Sequence, residues 1–365
     1  MTLIAHLRSL CPRLVLPSVA AAALTLPRVA AGQAAPDPTP VVAAQRSALV
    51  ADVPGVTRGF VTANGARLQY LDFGGRGEPV VLLAGLGNTA WIWSDFGPRL
   101  ARAGFHAVAL TRRAHGESAA PASGYVLDTL AADVIAFMDS LGFRTAHLVG
   151  HSLAGAELTR IAARYPDRVA RLVYVDAAYD RAAQQRYDAA VPPPDFAPDI
   201  TAADRASIAA YLAYQRRARL DLARFWGAVV ERDYRASLTV DSLGEVRWRH
   251  PFARYGQLME DAARHAPEYG QVRAPALALY ATVSQAIAPA DASAEQREQL
   301  ARFERENNQR WRAESMAQFR DGVRGGRIRE IDGLHHLFLD RPDETQRAVV
   351  SFLRGPGKTS ARPQR

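Results

Sequence analysis

The chain has 365 residues, 48% hydrophobic and 22% charged, with a formal charge of +8 carried almost wholly by arginine. This balance supports a large buried core and excludes a disordered chain, while interspersed acidic residues exclude the dense basic stripe that nucleic-acid binding requires. The one cysteine, Cys11, lies within the first 31 residues, so thiolate metal sites, cysteine nucleophiles and disulfides are excluded from the rest of the chain.

Residues 1–31 read as an export signal. His6, Arg8 and Arg13 precede an apolar run from Leu14 to Leu26, and Val29-Ala30-Ala31 supplies small residues for cleavage. The run is shorter than the ~20 residues of a spanning helix and is interrupted by Pro17 and Pro27. The sequence therefore predicts an exported protein, periplasmic or secreted, without a stable membrane anchor. Residues 32–57, rich in Ala and Pro, read as an extended linker.

A hairpin is predicted over Phe60-Val-Thr and Arg67-Leu-Gln-Tyr-Leu-Asp-Phe, because Asn64-Gly65 supplies the positive φ of a tight turn. Pro79-Val-Val-Leu-Leu-Ala is a continuous apolar run suited to a strand buried on both faces. It leads into Ala84-Gly85-Leu86-Gly87-Asn88-Thr89, whose glycines let backbone N–H groups face outward, and then into a helical pattern from Trp91 to Ala103. Strand His106 to Leu110, helix Leu127 to Leu141, strand Ala146 to Val149, helix Leu153 to Tyr165 and strand Ala170 to Val175 follow. Such alternation predicts an α/β fold, a parallel sheet with helices on both faces.

Ser152 falls at the carboxyl end of one of these strands, within Gly150-His-Ser-Leu-Ala-Gly155. A Gly-x-Ser-x-Gly turn from strand to helix is so sharp that small residues must flank the serine, and it lifts the hydroxyl above the sheet. Gly150 fits this pattern, whereas Ala154 occupies the last glycine position and Gly155 follows one place later. Ser152 is thus a candidate nucleophile.

From Ala177 to about Arg273 the strand rhythm stops, and an aromatic-rich helical insertion is predicted. Within it, Thr201-Ala-Ala-Asp204 forms a capping box that opens a helix over 202–217. Strand rhythm resumes at Pro275-Ala-Leu-Ala-Leu-Tyr-Ala. A long charged helix over 294–320, strand Arg327-Ile-Arg-Glu-Ile, the loop Asp332-Gly-Leu-His335-His336, a final helix Pro342 to Leu353 and a basic tail at 355–365 complete the chain.

Taken in this order, the parts resemble the α/β-hydrolase fold from about Arg58 to Leu353. Leu82-Leu-Ala-Gly-Leu-Gly is similar to the segment in which other members carry His-Gly. Thr111-Arg-Arg-Ala-His-Gly-Glu-Ser118 is similar to the family's Asp-x-Arg-Gly-His-Gly-x-Ser, with Thr111 and Ala114 as departures, and Tyr165-Pro-Asp-Arg-Val169 resembles the join between nucleophile helix and next strand. The resemblance implies a mostly parallel eight-stranded sheet, with its core in 58–176 and 274–354 and a helical lid inserted at 177–273.

The resemblance also implies roles. Haloalkane dehalogenases and epoxide hydrolases of this fold use Asp at the elbow, so Ser152 implies attack on a carbonyl. The family's His-x-x-x-Leu-x-x-Pro spacing back from Pro342 selects His335 as the base; counting forward from Ile331 selects His336 as the alternative. Most members carry the acid after the strand corresponding to Leu277-Ala-Leu-Tyr, where the next carboxylate is Asp291. Some place it one strand earlier, where Asp176 ends Leu172-Val-Tyr-Val. Asp176 is preferred, with Asp291 in reserve and Asp180 behind it. The backbone N–H groups of Leu86 and Leu153 are the implied oxyanion donors. The implied activity is two-step acyl transfer on a carboxylic ester or related small-molecule acyl substrate, with no metal or organic cofactor. Amide, lactone or carbon–carbon cleavage, and a non-catalytic binding protein on the same fold, remain alternatives.

Overall fold

In the computed structural model, β-branched and apolar runs bounded by Gly and Pro become the strands β1 (Thr57–Ala63), β2 (Ala66–Asp72), β3 (Pro79–Leu83), β4 (His106–Leu110), β5 (Ala146–His151), β6 (Val169–Val175), β7 (Leu238–Val240), β8 (Val246–Trp248), β9 (Ala276–Ala281) and β10 (Arg327–Ile331). The structure describes residue 50 and residues 52–283 and 286–355. The export signal, most of the linker and all but the first residue of the tail lie outside the described residues. Eight strands pair in the order β1-β2-β4-β3-β5-β6-β9-β10. The first two pairings are antiparallel and the others parallel. At the β1–β2 turn Asn64 and Gly65 adopt φ of 48° and 73°, the left-handed pair expected there.

The helices are α1 (Phe96–Arg102), α2 (Leu127–Ser140), α3 (Ala154–Arg164), α4 (Arg181–Ala190), α5 (Ala202–Arg205), α6 (Ile208–Ala218), α7 (Leu220–Ala223), α8 (Ala228–Ser237), α9 (Phe252–Ala262), α10 (Ala294–Phe303), α11 (Gln309–Gly322), α12 (Leu337–Asp340) and α13 (Pro342–Arg354). Among the described residues no helix is long and apolar enough to cross a membrane. Successive strand residues point to opposite faces. Leu148, Tyr174 and Tyr280 therefore pack on one side with Phe137, Leu158 and Phe319. Val149, Val173 and Leu279 pack on the other with Trp93, Phe96, Phe338 and Phe352.

Three predicted helices differ in the structure. The pattern from Trp91 to Ala103 divides into a 3₁₀ turn, Ala90–Trp93, and α1. Pro98 has no N–H and suits only a first turn, so one helix cannot run through it. The predicted 202–217 helix divides because Ser207 caps a new start by accepting from Ala210 N–H, although the Thr201–Asp204 box forms as expected. The helix predicted over 294–320 extends to Gly322 and contains a π turn, Glu304–Asn308.

The insertion between β6 and β9 is not wholly helical. β7 and β8 form a hairpin, because Leu238-Thr-Val and Val246-Arg-Trp are β-forming triplets on either side of an Asp241–Gly244 turn, with Gly244 at φ 82°. Its aromatics pack inward, Tyr211, Tyr214 and Tyr255 being buried.

One close approach joins the elbow helix to the strand beside it. A Cβ on Gly155 would lie 1.8 Å from the Ala177 carbonyl oxygen, so α3 sits against the chain leaving β6 only because position 155 lacks a side chain. Gly155→Ala should lower stability by up to about 2 kcal/mol, an overpacking penalty of ~1–3 kcal/mol exceeding the ~1 kcal/mol helix-propensity gain. Urea denaturation measures this, and an unchanged or higher midpoint would contradict the packing argument.

Candidate active site

The chain passes from β5 to α3 through Ser152, which is half-buried and holds φ at 56°. For a non-glycine residue that conformation costs of order 1–3 kcal/mol and persists only where the surroundings impose it. The surroundings here are tight. A Cβ on Gly150 would stand 3.0 Å from the Ala154 and Leu158 side chains. Ala154 is itself fully buried. The departure at Ala154 is thus tolerated, because the position that meets backbone is Gly155.

Above the serine lies the turn after β3. A Cβ on Gly85 would meet the Ser152 Cβ at 3.2 Å and His151 Nδ1 at 3.0 Å, so glycine lets this turn reach the elbow. Arg112 fastens it: Nη2 donates to the Ala84 carbonyl (2.7 Å) and Nη1 to the Gly85 carbonyl (3.3 Å). The same guanidinium, through Nε at 2.8 Å, binds buried Glu157 of α3. Turn and α3 are thereby clamped by one ion pair. Burial raises the Glu157 carboxyl above its ordinary range, and Arg112 opposes this.

Gly87 has φ 81° and donates its N–H to His115 Nε2 (3.2 Å), while His115 Nδ1 donates to the Arg113 carbonyl (3.0 Å). Burial keeps His115 neutral, well below its usual titration range, and so able to accept that bond. Buried Asp233, from α8 in the insertion, accepts from Thr89 N–H (2.7 Å), Thr89 Oγ1 (2.6 Å) and Asn88 Nδ2 (2.7 Å). Among the described residues, the Leu86 and Leu153 amides donate to no other protein group. Their side chains pack with Leu258 and Met259 of α9.

At the end of β6, Asp176 also takes a left-handed φ, 46°, and is buried. His335 Nδ1 lies 2.6 Å from Asp176 Oδ2. The other carboxylate oxygen accepts from Tyr179 Oη (2.7 Å) and from Ala281 N–H (2.9 Å). The His335 loop is anchored by Asp340, whose Oδ2 accepts from Leu334 N–H at 2.7 Å.

The structure therefore brings His335 and Asp176 together. His336 does not share this contact: it is buried, and neither ring nitrogen has a partner among the described residues. Asp291 is exposed, ahead of α10, and takes no part in this cluster. It cannot serve His335, because Asp176 occupies Nδ1. Asp180 caps α4, accepting from Ala182 N–H (2.9 Å) and Ala183 N–H (3.0 Å). His151 donates from Nε2 to the His335 carbonyl (3.2 Å), so it supports the loop. Burial, then the neighbouring histidines, keep His151 neutral, and burial followed by His335 does the same for His336. Among the described residues no group of His, Cys, Asp or Glu is arranged to hold a metal ion.

Four contributors, Arg112, Glu157, Asp233 and Tyr179, were not identified from the sequence. Arg112 and Glu157 meet across 45 positions. Asp233 reaches Thr89 across 144. Tyr179 is local, three residues beyond Asp176, and that i, i+3 spacing was the available signal.

The sequence pattern that defines the alpha/beta hydrolase fold matches residues 78–342. The chain is 35% identical over 138 residues to N-formylmaleamate deformylase of Pseudomonas putida, covering 38% of this chain and 51% of that protein. It is 40% identical over 118 residues to a non-heme chloroperoxidase of Streptomyces lividans, covering 32% and 43%. The chain thus spans about half the length of these relatives. Among solved structures, E-2-(acetamidomethylene)succinate hydrolase superposes with a TM-score of 0.61 over 82% of this chain and 99% of its own, at 20% identity. An enol-lactonase from Burkholderia xenovorans gives 0.51 over 81% and 99%, at 23% identity. At these identities the structural likeness is one of fold.

Asp233 yields a pH test. Burial pushes its carboxyl up to about 6, against the pull of its bonds from Thr89 and Asn88. An unfolded aspartate titrates near 3.9, so the folded protein binds the extra proton between about pH 4 and 6. The associated stabilisation is complete below the unfolded value and is lost as pH rises through the folded one. Relative to Asp233→Asn, the native protein should lose roughly 3 kcal/mol between pH 4 and pH 7. Urea denaturation at stepped pH measures it, and a pH-independent difference would refute the assignment.

Proposed function

Because this chain belongs to the alpha/beta hydrolase fold family, we propose that it is a serine hydrolase that cleaves a small carboxylic ester through an acyl-enzyme. The observation that carries this reading is the 2.6 Å contact between His335 Nδ1 and Asp176, set against Ser152 on a left-handed elbow.

A neutral serine hydroxyl is a weak nucleophile and needs a base and an acid that orients the base. With Asp176 holding the proton on Nδ1, His335 Nε2 is left to accept the Ser152 proton as Oγ attacks the carbonyl. Tyr179 Oη and the Ala281 N–H fix the carboxylate on its other oxygen, so its lone pair stays aimed at the imidazole. The tetrahedral oxyanion is received by the Leu86 and Leu153 N–H groups, each worth about 3 kcal/mol of barrier by comparison with other oxyanion holes. Leu153 also opens α3, whose positive end favours the developing charge. His335 then protonates the leaving alcohol, and water repeats the sequence to release the acid. Ser152 also argues against ring opening of epoxides, since the acyl route needs a carbonyl.

A second reading follows from the matched N-formylmaleamate deformylase. The same residues support amide cleavage, with His335 protonating a leaving amine in place of an alcohol.

A fluorophosphonate probe should label the native protein and fail to label Ser152→Ala. In a screen of p-nitrophenyl esters and formyl amides, Asp176→Asn should lower kcat by about 10⁴-fold, as loss of the orienting acid does in other triads. Asp291→Asn should leave kcat unchanged. Labelling that persists in Ser152→Ala, or an Asp291→Asn defect larger than that of Asp176→Asn, would sink the assignment.

A further inference from the structure

A cavity of about 150 Å³ lies between α4, the α6–α7 region and the α10–α11 helix. Its wall includes Asp188, Asn307, Trp311, Phe303 and the Arg219–Asp221 pair. That pair adjoins the histidine loop electrostatically. Burial opposes ionisation of Asp221, but Arg219 outweighs it and holds the carboxyl below its usual range, with smaller contributions from His336 and His335. Just beyond α7, Phe225 meets the His336 ring (centroids 6.3 Å), which meets that of His335 (5.2 Å), so the wall of the cavity leads toward the proposed catalytic base.

The charges on the wall do not cancel. Arg219 and Asp221 neutralise each other through two parallel bonds, Nε to Oδ1 at 2.9 Å and Nη2 to Oδ2 at 2.8 Å. Asp195 is exposed at the rim. Asp188 is different: it is buried, one carboxylate oxygen accepts from Asn307 Nδ2 at 3.0 Å, and the other has no partner among the described residues. No basic residue forms a contact ion pair with it among those residues. A compensating charge, Arg181, is turned to Gln184 Oε1 (2.8 Å) and the Tyr179 and Trp311 rings. Burial pushes the Asp188 carboxyl up to about 6, with Asn307 and Arg181 pulling the other way. At neutral pH this leaves a desolvated anion facing a cavity with aromatic walls.

The backbone at this wall is also irregular. The π turn Glu304–Asn308 interrupts a long helix at the cavity, and such insertions recur at functional sites. Asn307 is fully buried by it and spans two acceptors, Asp188 Oδ1 and the Val191 carbonyl at 2.6 Å. The turn therefore aims one Asp188 oxygen and leaves the other for a ligand.

We propose that this cavity is the substrate subsite remote from the scissile bond, and that it selects substrates carrying an alkylammonium group, which Asp188 receives between Phe303 and Trp311. The proposal rests on the acyl-hydrolase reading for its place in catalysis, though not for its chemical selectivity. A carboxylate supplies a charge-assisted hydrogen bond to the ammonium and the Phe303 ring adds cation–π attraction, while Trp311, stacked on Tyr179 at 4.5 Å and facing Arg181, supplies apolar contact.

The test uses n-butylammonium and the neutral 1-butanol as probes. Titrated calorimetrically into the Ser152→Ala protein, n-butylammonium should bind at least about tenfold more tightly than 1-butanol. Adding Asp188→Asn, with folding checked by circular dichroism, should abolish that preference. The native comparison of amine with alcohol decides the proposal even if the Asp188 variant fails to fold. With the native enzyme, n-butylammonium should inhibit p-nitrophenyl acetate hydrolysis competitively. Equal binding of amine and alcohol, a preference that survives Asp188→Asn, or non-competitive inhibition would overturn the proposal. If no ester or amide is turned over, the hydrolase reading fails, while calorimetry still decides the selectivity of the cavity.

Discussion

The left-handed backbone at Ser152 is the constraint on which the rest of the site depends. It turns the chain from β5 into α3 within one residue, and that turn is feasible only where neighbouring chains come close without side chains in the way. Gly150, Gly155 and Gly85 are the positions of close approach, each facing a different neighbour: the start of α3, the Ala177 carbonyl and the serine itself. Strain at one non-glycine residue is sustained because three separate segments pack against it. Asp176 carries the same kind of strain on the next strand, so among the described residues two of the four non-glycine residues with positive φ belong to the candidate site.

Buried charge is handled differently on the two sides of the serine. On the side of the turn after β3, Arg112 and Glu157 are paired, and the arginine spends its remaining donors on two carbonyls. That removes the cost of isolated charges and holds the turn after β3 in register with α3. On the histidine side, Asp176 has hydrogen-bond partners at both carboxylate oxygens, while His151 and His336 are kept neutral beside His335. Under the proposed mechanism, a proton taken up by His335 would meet the Asp176 carboxyl group at Nδ1 and no neighbouring imidazolium. The insertion contributes through Asp233, which ties Asn88 and Thr89 to α8 and so couples its packing to the turn after β3.

Much of this was legible in the order of the residues. The alternation of apolar runs with helical patterns, the Asn64-Gly65 turn and the small residues around Ser152 are local signals, and they produced the sheet, the hairpin and the elbow. Helix boundaries were less legible where local rules compete: Pro98, Ser207 and the π turn each divide or distort a segment whose periodicity reads as one helix. The β7–β8 hairpin was hidden by its length, since two strands of three residues leave no periodic trace.

The sequence by itself determined the chemical type of the candidate nucleophile and the class of the fold, because residue identity and the periodicity of burial are properties of the chain alone. It narrowed the base to two adjacent histidines and the acid to three aspartates. Only the tertiary structure shows which of these candidates meet. Asp176 and His335 are 159 positions apart and meet because β6 and the loop after β10 end at the same edge of the sheet, whereas Asp180 is spent on a helix cap and Asp291 faces solvent. Long-range partners such as Arg112 with Glu157 and Asn88 with Asp233 follow the same logic. Their pairing is set by strand order and helix packing, to which spacing along the chain is blind.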